Sequence, residues 1–361
     1  MPQFIPGLEL NRRFYLEVIY PILSREFTHL HYSAARLGTG SEVLGYDTPM
    51  SADHDWGLRL QLFFSQEDFD KYGAEVTEKL RHELPYNFLG YSTHFGEPDD
   101  EGTRLLAQTD GPRNHRVEVW TVRGFFEEYM ACDPYQEPTI YDWLTWPQQH
   151  LLGVTAGQVY ADDLGDLAMI RHKLLYYPHD VWLYLLAAQW SRIGQEEAFV
   201  GRTGDIGDEL GSRILAARLV HDLMQLCFLM EKTYAPYPKW FGVAFSRLTC
   251  ASTLMPTLSQ ILDAQDWRAR EDHLCQAYET VAKLHNGLQI TEPLATDVRY
   301  FHGRLFRVIG ADRFVSALRK ALTDETVREI RTNIGSIDQF SHSTDLRSYS
   351  ELHKKLQLLY K

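Results

Sequence analysis

The stretch that decides the fold is residues 38–64, G-T-G-S-E-V-L-G-Y-D-T-P-M-S-A-D-H-D-W-G-L-R-L-Q-L-F-F. A Gly40-Ser41 turn is followed by a polar loop, then by Asp53 and Asp55 at the mouth of an apolar run. Glycine lets the backbone turn closely, and serine adds a hydroxyl donor for a phosphate. Residues two apart in an extended chain share a face, so Asp53 and Asp55 are expected side by side at the edge of a strand over 56–64. Two adjacent carboxylates repel and are tolerated mainly with a cation between them. Hard carboxylate oxygens suit Mg²⁺, whose shell is completed by waters and substrate phosphates. The stretch predicts metal-assisted phosphoryl or nucleotidyl chemistry.

Working outward, residues 8–30 carry apolar positions at helical spacing, with Pro21 interrupting them. Residues 65–83 open with Ser65, Glu67 and Asp68, a helix start. The segment 93–115 is rich in Gly, Asp and Pro and reads as loop. A strand follows at R-V-E-V-W-T-V, 116–122, with Val117, Val119 and Thr121 on one face and Glu118 and Trp120 on the other. Glu118 would lie beside the aspartates, as a further metal ligand or a general base toward an acceptor hydroxyl.

Beyond about residue 135 helical periodicity dominates, over 164–177, 179–200, 207–233, 238–263, 266–286 and 311–333. The fold class expected is α+β: a short mixed sheet with flanking helices in a domain over 1–135, then an all-α bundle over 136–361. In the second domain the Gly-punctuated segment F-V-G-R-T-G-D-I-G-D-E-L-G-S, residues 199–212, supplies Arg202, and Lys239 follows it. Either cation could meet a triphosphate. The same segment also reads as helix caps and surface ion pairs, and Lys239 as a lysine lying over Trp240. Glu196 and Glu197 read as a solvated helix face.

Composition limits the alternatives. The chain has 361 residues, 44% of them apolar, and a formal charge of −13 from 36 basic and 49 acidic side chains. That balance argues against general nucleic-acid binding. The four cysteines form no CxxC pair, so free buried thiols and a cytoplasmic location are expected. No stretch has the length of a membrane span. The 15 histidines include no H-E-x-x-H, and no Walker or G-x-S-x-G motif occurs.

The run from Gly40 through Asp55, G-S followed by D-x-P-x-S-x-D-x-D, resembles the nucleotidyltransferase superfamily of polymerase-β-like fold, and most nearly the aminoglycoside and lincosamide nucleotidyltransferases. The chain is also similar to the DUF4037 family in Y-D-T-P-M-S-A-D-H-D-W-G, F-V-G-R (199–202), G-D-E-L-G-S (207–212), A-P-Y-P-K-W-F-G (235–242) and G-S-I-D-Q-F (335–340). By that resemblance Gly40 and Ser41 contact a nucleoside triphosphate, with ATP the expected one. Asp53 and Asp55 bind Mg²⁺, and Glu118 takes the third-carboxylate place. Arg202 and Lys239 assist the phosphates. The Ser41-to-aspartate loop is slightly longer than the commonest pattern, which leaves Asp47 competing with Asp53 for the first position. The activity implied is transfer of a nucleotide to a hydroxyl of a small molecule. The alternative is a non-catalytic nucleotide-binding or antitoxin-like interaction protein that keeps the fold.

Overall fold

The computed structural model describes residues 3–52, 54–100 and 102–361. Two compact units emerge, Met1–Glu137 with Gln149–Leu175, and Pro138–Gln148 with Tyr176–Lys361.

The first unit is built on a four-stranded mixed sheet, in the spatial order Arg116–Thr121, Arg59–Phe64, Tyr32–Arg36, Gln158–Asp162. The 59–64 strand runs parallel to 116–121 and antiparallel to 32–36, which in turn pairs antiparallel with 158–162. Side chains alternate across a strand, and this alternation divides the sheet. Leu60, Leu62, Phe64, Ala34 and Val117 enter the core with Leu10, Phe14 and Ile19 of the first helical segments and Val76 and Leu80 of the helix Gln66–Glu83. The opposite face carries Arg59, Gln61 and Phe63, in register with Arg116, Glu118 and Trp120. Phe125, from the helix Val122–Met130, closes the aromatic end of that face, edge-on to Phe63 and Trp120. The candidate site lies at the polar end of this face.

Local signals were read well where they are covalent or capping in nature. Ser65 caps Gln66–Glu83 by accepting from the Asp68 amide at 3.1 Å. Pro21 has no N–H to give to the preceding turn, and the chain widens into a π-type segment, Tyr15–Ile19, just before it. Two strands of this four-stranded sheet were missed. The central strand Tyr32–Arg36 is buried at all five positions, so it shows no alternation. The strand Gln158–Asp162 lies beyond the 135/136 boundary expected from the sequence, within residues read as the helical domain. The first unit therefore takes its fourth strand from 149–175.

The second unit is helical apart from the two-residue strands Arg299–Tyr300 and Arg307–Val308. Its central helix, His179–Glu196, is apolar almost all round and packs against Glu209–Met230 and Asp312–Ala321. Glu209–Met230 also meets Phe199–Asp205, Ala251–Asp263 and Trp267–Gly287. The 238–263 segment is two helices, Pro238–Phe245 and Ala251–Asp263. Glu197 is not solvated: it is 8% exposed, and its carboxylate accepts from the amides of Gly310 and Ala311 at 2.9 and 3.3 Å. Cys227, Cys250 and Cys275 are buried and Cys132 half-buried, all as free thiols. Among the described residues, no helix is long and apolar enough to cross a membrane.

Candidate functional site

The site is assembled on the polar face of the first unit's sheet. Its foundation is a buried ion pair. Arg36 and Glu42 are each 1% exposed, and the Arg36 Nε and Nη2 donate to Glu42 Oε1 at 3.0 and 2.6 Å. The remaining Arg36 donors go to the carbonyls of Leu37 at 2.6 Å and Thr39 at 2.5 Å. The turn over 37–40 is thus wound around one guanidinium. In a trans peptide N–H points opposite to C=O, so the Gly40 amide faces away from Arg36. The amides of Thr39, Gly40 and Ser41 and the Ser41 hydroxyl have no hydrogen-bond partner among the described residues. Gly40 has φ +142°, and a Cβ there would lie 2.5 Å from a Glu42 carboxylate oxygen. Glycine is therefore required at this position by the Arg36–Glu42 pair.

The two described carboxylates come from distant parts of the chain. Asp55 is in a bend four residues ahead of the strand. Asp55 is not extended as the sequence suggested, with φ +44°. Asp53 lies outside the described residues. A left-handed backbone is costly for a residue with a Cβ, though aspartate bears it better than most. Its amide is fixed on the Arg104 carbonyl at 3.0 Å. Arg116 Nη1 reaches Asp55 Oδ1 at 3.3 Å, and its Nη2 reaches Glu118 Oε1 at 3.6 Å. Asp55 and Glu118 thus meet on one guanidinium, with their side chains 39% and 37% exposed. The Trp120 indole donates to Glu118 Oε2 at 3.4 Å.

Between these groups and the turn stands Arg59, opposite Arg116 in the register. Its backbone amide donates to the buried Asn11 side chain at 2.7 Å, and its Nη1 donates to the Asp55 carbonyl. Burial, then the charge of Arg36, presses its guanidinium down to about 9; Glu42, Arg116 and Glu118 also act on it. Asp47, the competitor for the first carboxylate position, is used elsewhere. Its Oδ2 accepts from the Gly7 amide at 2.6 Å and the Trp56 indole at 3.0 Å.

Two hard carboxylates gathered around a shared cation are the donor set that Mg²⁺ takes when waters and phosphates complete its shell. The residues fit that ion, with Arg116 now offsetting one of their two charges. Among the described residues no group of three or more His, Cys, Asp or Glu is gathered for a metal. Arg202 and Lys239 belong to the second unit, where both are exposed and lie over adjacent rings, Phe199 at 5.4 Å and Trp240 at 5.1 Å. Around them the glycines serve packing. A Cβ on Gly204 would lie 2.1 Å from the Trp267 ring, and one on Gly201 would lie 2.6 Å from Phe306. Asp208 caps Glu209–Met230 through the Gly211 amide at 2.8 Å.

The sequence reading missed Arg59, Arg116 and the Arg36–Glu42 pair. A signal for the first two exists: R-L-Q-L at 59–62 and R-V-E-V at 116–119 repeat one pattern. Each strand is apolar on one face and carries an arginine and an acid or amide on the other.

Residues 143–241 match the protein family described as a domain of unknown function (DUF4037). That span contains Arg202 and Lys239 and stops short of the 38–64 stretch and Glu118. No curated protein and no solved structure matches the chain.

Proposed function

We propose that the first unit is a Mg²⁺-dependent nucleotidyltransferase module that moves a nucleotide from a nucleoside triphosphate to a hydroxyl of a small molecule. The observation that carries this reading is the meeting of Asp55 and Glu118 on one guanidinium beside a turn with unspent amide donors. Asp55 and Glu118, with Asp53, would hold Mg²⁺, which supplies charge neutralisation at the attacked phosphate. The amides of Thr39, Gly40 and Ser41 and the Ser41 hydroxyl would take phosphate oxygens. The acceptor oxygen forms a bond to the α-phosphorus, its proton passes to Glu118, and the bond to pyrophosphate breaks. The turn itself is held by the Arg36–Glu42 pair, so its donors are fixed before the ligand arrives.

Calorimetric titration of ATP, GTP, CTP and UTP with Mg²⁺ tests this reading. Metal-dependent binding of a nucleotide to the wild-type chain, abolished in Asp53→Ala/Asp55→Ala, is expected. A folded wild-type chain that binds none of the four would replace this reading with that of an interaction protein.

A further inference from the structure

The hydrogen bonding around Arg59 does not close. The side chain is 8% exposed, yet its one hydrogen bond within the described chain goes to a neutral backbone carbonyl, that of Asp55. The two acids that act on it are engaged elsewhere, Glu42 by Arg36 and Glu118 by Arg116. Its nearest charged company therefore includes two further cations. Arg59 Nε and Nη2 have no partner among the described residues, and neither belongs to the polar atoms sealed from solvent. Removing a cation from water is expensive unless an opposite charge compensates it. Nothing among the described residues accepts from those two donors, whereas an anionic ligand could take both.

We infer that Arg59 is the centre of an oxyanion-binding site, whose natural occupant is a phosphate group. The planar guanidinium offers two parallel N–H donors that match two oxygens of one phosphate. The Asn11 bond to the Arg59 amide and the pairing with Arg116 fix the backbone, and the Nη1 bond to the Asp55 carbonyl holds the guanidinium. The neighbouring Arg36 and Arg116 do not compete for the phosphate oxygens, since both are already paired. This inference names the residue that grips the phosphates in the proposed nucleotide site. It rests on that reading for the identity of the ligand, while the anion site is argued from burial and pairing alone.

The test titrates inorganic phosphate, pyrophosphate and each Mg²⁺–nucleoside triphosphate into the full-length chain, as wild type, Arg59→Met and Arg59→Lys, with thermal unfolding recorded for each. Expected is wild-type binding of pyrophosphate, weakened at least about tenfold by Arg59→Met, with an unfolding midpoint no lower than the wild type's. Arg59→Lys keeps the charge, loses the fork and should fall between. Should Arg59→Met fail to fold, Arg59→Lys carries the comparison. Pyrophosphate binding unchanged by either variant, or no anion binding by folded wild type, overturns the site. Arg59-dependent pyrophosphate binding without binding of any nucleoside triphosphate would uphold the anion site and remove the nucleotidyltransferase reading. Binding of a nucleotide that needs Asp53 and Asp55 but ignores Arg59 would do the reverse.

Discussion

Two buried arginines, one in each unit, show how the same side chain serves different ends. Arg270 in the second unit is fully buried, and both of its Nη groups are employed. They donate to Glu209 Oε2 at 3.2 and 3.3 Å, to the Ser212 hydroxyl at 2.7 Å and to the Ala264 carbonyl at 3.0 Å. It ties the start of one long helix to the start of another. Arg59 in the first unit is nearly as buried, yet it holds a single neutral acceptor. Paired burial is a structural device, because the carboxylate offsets what desolvation costs. Unpaired burial beside unused donors indicates a missing partner. The contrast predicts that closed clusters respond to mutation through stability and the open one through ligand binding.

The largest effect should come from breaking a closed cluster within the first unit itself. Glu42→Ala strands Arg36 at 1% exposure with only the Leu37 and Thr39 carbonyls. It should cost about 3–5 kcal/mol, read as the urea transition of the first unit. If Glu42→Ala unfolds no more easily than wild type, the pair is not closed and the contrast fails. Next comes Asp222 in the second unit, 2% exposed and bound to Gln189 at 3.1 Å and Arg192 at 3.1 Å. Asp222→Ala should cost about 2–3 kcal/mol, seen in the second unit's transition with nucleotide and anion binding unchanged.

Glu197 sharpens the comparison from the side of pH. Burial is the largest influence on its carboxyl and lifts it from 4.5 to about 7, against the pull of the Gly310 and Ala311 amides; Asp312 adds to the rise. The folded chain thus holds this proton more tightly than the unfolded chain does. Its contribution is fully present below about pH 4.5 and is lost as pH rises through about 7. On the order of 3 kcal/mol is at stake. Urea unfolding at pH 5 and pH 8 should show a smaller loss of stability in Glu197→Gln than in wild type. Equal slopes in both proteins would mean that Glu197 stays ionised in the fold.

What the sequence disclosed follows from where the information lies. The Ser65 cap and the two faces of 116–121 were legible because they are set by residues within one turn or one strand. The strand at 32–36 was hidden, since Y-S-A-A-R lies between two neighbours and is buried on both faces, which erases the period of two. The 158–162 strand is short and sits among helices, so its pairing with 32–36 depends on a contact across more than a hundred residues. At the site, the grouping of Asp55 with Glu118 was anticipated, yet the side chain that joins them was not. Arg116 reads as an ordinary start of a strand until the parallel register sets it opposite Arg59. Glu197 failed for a similar reason: its partners are amides more than a hundred residues away.

Arg116 carries the smallest expected effect on stability and sets the finest test of the contrast. Its side chain is 21% exposed, and both of its carboxylate partners are more than a third exposed, at 3.3 and 3.6 Å. Ion pairs of this kind contribute about 0–1 kcal/mol, so Arg116→Gln should unfold within about 1 kcal/mol of wild type. The binding side should respond in a definite direction. Arg116 now offsets one of the two charges on Asp55 and Glu118, and a cation arriving at those carboxylates must share them with it or displace it. Removing the guanidinium leaves two carboxylates without their resident counter-ion, so Mg²⁺ should bind the Arg116→Gln chain more tightly in the absence of nucleotide. Phosphate affinity should fall only modestly, because Arg59 retains its fork. Tighter metal binding with near-wild-type stability would mark Asp55 and Glu118 as an open pair kept ready for a cation. A large loss of stability with unchanged metal affinity would move this cluster to the closed class, beside Arg36 and Arg270.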